Sequence, residues 1–234
     1  MAKTKKQSKS HGADLLENPD AIVSRTEEFF TDKKNQTLVF GIGGAIAILV
    51  AAFMAYTYYI NSRNDEAQIE MFQAIYFFEA DSLGKALNGD GNNFGFLDIA
   101  DIYAGTDAAN ISSFYAGAIY MRLGDYENAI RYLDDFSSSD MLVQARAYSL
   151  IGDANMELDD FAAAVKAYKK ASNYKENKEF TPIYLGKLAL AYEKQGKYAD
   201  AAAAYDKIVT DFVTSSYYQE ALKQKARLEG LALN

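Results

Sequence analysis

Residues 112–136 read SSFYAGAIYMRLGDYENAIRYLDDF, and the same landmarks recur in residues 145–171 (ARAYSLIGDANMELDDFAAAVKAYKKA) and 184–208 (YLGKLALAYEKQGKYADAAAAYDKI). Aligned on their turns, Gly124, Asp159 and Gly196, the three units stand 35 and 37 residues apart. Two residues after each turn comes an aromatic: Tyr126, Phe161 or Tyr198. Three further on comes an alanine (Ala129, Ala164, Ala201), and four beyond that Leu133, Tyr168 or Tyr205. Seven before each turn stands a small residue: Gly117, Gly152 or Ala189. Apolar residues at helical spacing on both sides of a turn predict a pair of antiparallel helices. The small residues let the paired helices approach closely, and the aromatics fill the gap to the next helix. One such hairpin cannot bury its own apolar face, so successive units must stack and share a core.

This pattern resembles the tetratricopeptide repeat over about residues 110–213, without the tryptophan of its first helix and without most of its closing prolines. The resemblance implies an all-α, right-handed array of helical hairpins. Two helices flank it. Residues 65–83 (DEAQIEMFQAIYFFEADSL) place Ile69, Phe72, Ile75 or Tyr76, and Glu79 at helical spacing. With residues 96–103 they predict a degenerate first repeat. Residues 217–231 (YYQEALKQKARLEGL) are amphipathic and polar on one side, as expected of a solvating cap helix.

Upstream, residues 38–60 (LVFGIGGAIAILVAAFMAYTYYI) run 23 residues without a charge. At ~1.5 Å per residue this helix reaches about 34 Å, enough to cross a bilayer core of ~30 Å. The run is too long for a signal-peptide core, and it ends in Tyr56, Tyr58 and Tyr59, an interfacial aromatic belt. Arg25, Lys33 and Lys34 precede it closely, whereas only Arg63 follows closely, among Asp65, Glu66 and Glu70. That asymmetry puts the N-terminus in the cytoplasm and the C-terminal domain across the membrane, in the periplasm of a Gram-negative cell. Gly43, Ala47, Ala51 and Ala55 recur every fourth position, a stripe against which another membrane helix could pack. The chain thus divides into a cytoplasmic arm with a short amphipathic helix (1–37), a transmembrane helix (38–60), a linking helix with the degenerate repeat (61–109), and three repeats with a cap helix (110–234). In the arm, residues 1–12 are basic and aperiodic. From Pro19 a helix is expected, with Ile22, Val23, Phe29 and Phe30 on one side.

Charge and composition exclude several function classes. Residues 61–234 carry 17 basic and 26 acidic side chains, which disfavours a nucleic-acid surface. There is no cysteine and one histidine, His11 in the arm, so no thiolate site and no Ser/His/Asp set are available to the repeat domain. Residues 88–95 (NGDGNNFG) partly resemble a calcium loop, but Phe94 occupies a ligand position, and a flexible linker is expected instead. The pairs Asp134-Asp135 and Asp159-Asp160 fall at turns or helix ends, where carboxylates are ordinarily solvated. The expectation is a binding protein with no enzymatic activity, no cofactor, no metal and no small-molecule substrate.

In such arrays the first helices line a concave groove. By alignment it would present Ile111, Phe114, Met121 and Arg122 from the first unit, Arg146, Ser149, Asp153 and Met156 from the second, and Ile183, Leu190 and Glu193 from the third. This mixed apolar and charged set suits a peptide or a partially folded chain.

The order of parts carries a second resemblance. A paired-Phe segment (RTEEFFTDKKNQ), a Gly-rich span, a helix bearing AQIEMFQAI and a small repeat domain together resemble the YfgM family of ancillary subunits of the bacterial Sec translocon. The resemblance implies an inner-membrane protein beside SecYEG, partnered with a membrane-anchored periplasmic folding factor of the PpiD type and meeting emerging secretory chains. The alternative is a structural scaffold of another envelope complex, in secretion or motility, with no chaperone role.

Overall fold

The computed structural model describes residue 27 and residues 29–232. All regular structure among the described residues is helical. The chain forms two compact units that divide between Tyr59 and Ile60. The helix expected from Pro19 lies largely outside the described residues, as do residues 1–12 and His11. Of its apolar set, Phe29 and Phe30 are described. They are helical and exposed, with their rings edge to face at 5.7 Å.

Helix α1 (Lys33–Glu79) contributes to both units. Its part in the first unit is long and apolar enough to cross a membrane, and none of that apolar window is buried. Phe40, Ile48, Leu49, Phe53 and Met54 are all exposed. Side chains of this kind are stable against lipid and not against water.

In the second unit, α1 packs through Ala67, Met71, Ala74 and Phe77, joined by Phe96, Ile99 and Tyr103 of the segment that follows. The spacing read from the sequence is helical as expected, but of its residues only the alternative Ile75 packs against this core. Ile69, Phe72 and Tyr76 face away from the core and are 76%, 72% and 57% exposed. The two rows differ by about half a turn, and the small residues Ala67 and Ala74 admit the close approach that Ile69 and Phe72 would block. After Glu79 the chain turns through Asp81, in the left-handed region at φ 57°, into the short helices α2 (Leu83–Asn88) and α3 (Phe96–Ile102).

The loop between α2 and α3 is a built turn, not the flexible linker expected of NGDGNNFG. Asp90 Oδ1 accepts hydrogen bonds from the backbone N–H groups of Asn92 and Asn93 at 3.0 and 2.9 Å. Those two donors hold its carboxyl below the usual range. A Cβ on Gly95 would lie 2.3 Å from the carbonyl oxygen of Leu87, so only glycine fits. Phe94 packs against the core, and the Phe96 ring stacks on Tyr115 at 4.8 Å.

Three hairpins follow: α4 (Asp107–Leu123) with α5 (Tyr126–Asp135), α6 (Met141–Glu157) with α7 (Phe161–Asn173), and α8 (Thr181–Lys194) with α9 (Tyr198–Asp211). Gly124, Asp159 and Gly196 all adopt left-handed backbone at φ 78°, 58° and 72°, which reverses the chain at each turn. Side-chain oxygens cap the helix starts: Thr106 for α4, Asp125 for α5, Asp140 for α6 and Asp160 for α7. Within each of the first two hairpins a glycine seats the partner helix. A Cβ on Gly117 would meet Leu133 Cγ at 2.5 Å, and one on Gly152 would meet the Tyr168 ring at 2.4 Å. Helix α10 (Tyr218–Ala232) closes the array by burying Ala221 and Leu228 in the core of the third hairpin.

The Gly152 seat sets a stability prediction. Tyr168 is buried and its hydroxyl is hydrogen-bonded, so the ring cannot yield to an added methyl. Gly152→Ala is expected to cost about 1–3 kcal/mol and to lower the melting temperature by several degrees. Circular-dichroism melts of the full chain check this against Gly186→Ala, where a Cβ meets open space.

Candidate functional site

The first helices of the hairpins, α4, α6 and α8, carry every side chain expected to line the groove, but only three of those side chains meet in one recess. At the ends where α6 and α8 begin, they enclose a cleft of about 390 Å³ lined by Phe114, Leu142, Val143, Arg146, Phe180, Ile183 and Tyr184. Three of these, Phe114, Arg146 and Ile183, belong to the sequence-derived set. The other four are additions. Leu142 and Val143 occupy the first turn of α6 directly after its cap Asp140, and both are exposed. An apolar Met-Leu-Val run at the exposed start of a helix is a legible signal, yet aligning the second unit from Ala145 left it outside the repeat. Phe180 precedes α8 and is 38% exposed. Tyr184 is buried, which pushes its hydroxyl up.

The remaining expected residues lie elsewhere on the first helices. Ile111 and Leu190 are exposed outside the cleft. Met121 packs against the core shared by the first two hairpins, and Met156 against that of the third. Ser149 and Asp153 meet a cation from the next unit. Lys187 Nζ donates to both Asp153 oxygens at 2.7 Å and to Ser149 Oγ at 3.2 Å. The Tyr168 hydroxyl donates to the same carboxylate at 2.7 Å, and burial together with that charge pushes its pKa well up. This bridge joins α6, α7 and α8 across one ion pair. Arg122 pairs with Asp81 beyond the end of α1. Glu193 receives both guanidinium nitrogens of Arg227 from α10, at 3.0 and 2.7 Å.

The charges on this face are therefore largely committed to joining helices. Arg146 differs: it is exposed on the cleft wall and makes no ion pair among the described residues. The cleft is an apolar recess with a cation at its edge, suited to holding apolar side chains of an extended or partly folded chain. No group of three or more His, Cys, Asp or Glu residues that could hold a metal occurs among the described residues. In the apolar stretch of α1, Gly43, Ala47, Ala51 and Ala55 are exposed, and the space beside Gly43 is open.

The tetratricopeptide repeat family matches residues 116–177 and again residues 187–215. Among solved structures, one titled crystal structure of MamA protein is similar over 71% of this chain and 86% of its own, at 21% identity and a TM-score of 0.52. A second MamA crystal structure is 25% identical over 58% of this chain and 82% of its own, at a TM-score of 0.40. No curated protein matches. The chain thus carries tetratricopeptide repeats on an all-α fold, and such repeats indicate a protein-interaction module.

The Glu193–Arg227 pair makes docking of α10 sensitive to acid. Hydrogen bonds from Arg227 hold the Glu193 carboxyl below its usual value. A carboxyl depressed in the folded state stabilises above its unfolded pKa, and that stabilisation is lost as pH falls through the folded value. Melting temperatures followed from about pH 6 to pH 3 are expected to fall less steeply in Glu193→Gln than in the parent, across the ordinary glutamate range near ~4.3 and below.

Proposed function

We propose that this chain is a membrane-anchored accessory subunit of the SecYEG translocon. Its first-helix groove receives emerging secretory chains or a membrane-anchored periplasmic folding factor of the PpiD type. The observation that carries the proposal is the apolar cleft itself. Phe114, Leu142, Val143, Phe180 and Ile183 converge on one recess, and exposed apolar clusters of this kind mark interaction surfaces. A flexible apolar segment gains burial there without needing a fixed sequence, which is what a factor meeting many client chains requires.

The other parts support the same reading. The apolar, unburied stretch of α1 anchors the protein. The excess of Lys and Arg before that stretch supports an N-terminus in the cytoplasm and repeats in the periplasm. The stripe Gly43, Ala47, Ala51 and Ala55 docks the anchor beside other membrane helices. The protein works by binding and carries out no reaction. The order of arm, span, linking helix and repeats, which resembles the YfgM family, ties the binding to the translocon.

The test is capture of an unfolded secretory chain by the full protein in lipid nanodiscs. Phe114→Ala combined with Phe180→Ala removes two aromatic walls of the cleft. Truncating well-placed aromatics costs on the order of 1–2 kcal/mol each, so capture is expected to weaken by ~10-fold or more. Unchanged capture by a folded double variant removes the groove from the account. Capture of neither clients nor folding factor by the parent shifts the reading to a scaffold of another envelope complex.

A further inference from the structure

The second unit exposes an apolar row on the side of α1 opposite its core. Ala67, Met71, Ala74 and Phe77 point inward, while Ile69, Phe72 and Tyr76 stand in solvent. A surface helix ordinarily turns its polar side outward, and stacked arrays end in units whose outer face is polar. At the other end of this array α10 buries Ala221 and Leu228 and exposes a mainly charged face of Glu220, Lys223, Arg227 and Glu229, with Leu222 and Leu231 standing singly among them. The α1 end is left apolar.

The row has a definite spacing. Asp65, Ile69, Phe72, Tyr76 and Glu79 follow one another at steps of four, three, four and three residues. Such a 4-3 alternation is the spacing with which one helix seats its side chains between those of a second helix packed along it. The charge along the row itself is of one sign, the nearest cations being Arg63 just before it, over the Tyr103 ring, and Lys85 after it, over the Phe77 ring. Asp65 and Glu79 close its two ends, Glu66 and Glu70 flank it, and no Lys or Arg occurs from Asn64 to Gly84.

We infer that this face is a docking surface for an amphipathic helix of another protein, one whose apolar stripe is flanked by basic residues. The charges select this occupant over a second copy of the chain. Copies inserted in the same direction through one membrane meet in parallel, which sets Asp65 against Asp65 and Glu79 against Glu79. Anionic lipid headgroups are repelled by the same carboxylates. The surface is separate from the cleft between the first helices and does not depend on its proposed use.

The test uses the full chain in nanodiscs of neutral lipid and two fluorescent helical peptides of about three heptads. Both peptides carry leucine at the apolar positions; one has lysine on the flanks and the other glutamate. The lysine peptide is expected to bind, to weaken several-fold between roughly 50 and 300 mM salt, and to exceed the glutamate peptide by ~10-fold or more. Ile69→Ser combined with Phe72→Ser is expected to weaken it by a further ~10-fold, the effect of losing two apolar anchors. Tyr76→Gln should act in the same direction. All three side chains point to solvent, so melts of these variants should match the parent. The Phe114→Ala and Phe180→Ala pair should leave this binding intact, which separates failure here from failure of the groove. Equal binding of both peptides, binding of neither, or binding indifferent to Ile69 and Phe72 overturns the inference. A parent that sediments as a dimer, and becomes monomeric only when Ile69 and Phe72 are replaced, overturns it in favour of a second copy.

Discussion

At Gly117 and Gly152 the two helices of a hairpin come so close that an added Cβ would collide with Leu133 or Tyr168 of the partner helix. The rest of the array depends on that approach. With Tyr168 pressed against α6, its hydroxyl reaches Asp153, and the same carboxylate then meets Lys187 from the next hairpin. A contact inside one repeat is thereby passed to its neighbour. The left-handed residues Gly124, Asp159 and Gly196 complete the constraint by reversing the chain within a single turn.

Because no hairpin closes its own core, each relies on the next. Met156 of the second hairpin packs against the core of the third, and Ala221 and Leu228 of α10 finish that core. At the other end Phe96, stacked on Tyr115, carries the packing from the first hairpin to α3 and α1. Ion pairs follow the same logic, with Arg227 on Glu193 and Lys225 on Asp206 both tying α10 to the preceding hairpin. Side chains spent on stacking are not free to bind. The cleft forms instead where the helix starts leave Leu142, Val143 and Phe180 uncovered.

Much of the fold was legible in the residues. The turn positions and the small seat seven before each turn were readable from spacing, because each answers a local steric demand; that Leu133 and Tyr168 fill two of those seats comes from the structure. The register of α1 was not. Both Ile69–Phe72–Tyr76 and Ala67–Met71–Ala74 are apolar rows at helical spacing, and the larger residues are the more conspicuous. Only the closeness of the packing partner decides for the alanines. The loop of residues 88–95 misled for a related reason. Glycine and asparagine permit flexibility, yet Gly89 and Gly95 are needed because the backbone passes too near itself for any Cβ. In the groove, Phe114, Arg146 and Ile183 followed from alignment. Ser149, Asp153 and Glu193 pointed to the same helices, but their ion and hydrogen-bond partners, Lys187 and Arg227, come from later units and have no local signature.

The functional reading joins an apolar cleft to a membrane anchor. Its most direct test is a photoreactive side chain at Val143, on the exposed wall of the cleft, activated in intact membranes while secretory chains are stalled in the channel. The account predicts adducts with the stalled chains or with the membrane-anchored folding factor, lost when Phe114 and Phe180 are replaced by alanine. Adducts confined to other envelope components, or none in membranes where the protein is folded and abundant, would contradict it.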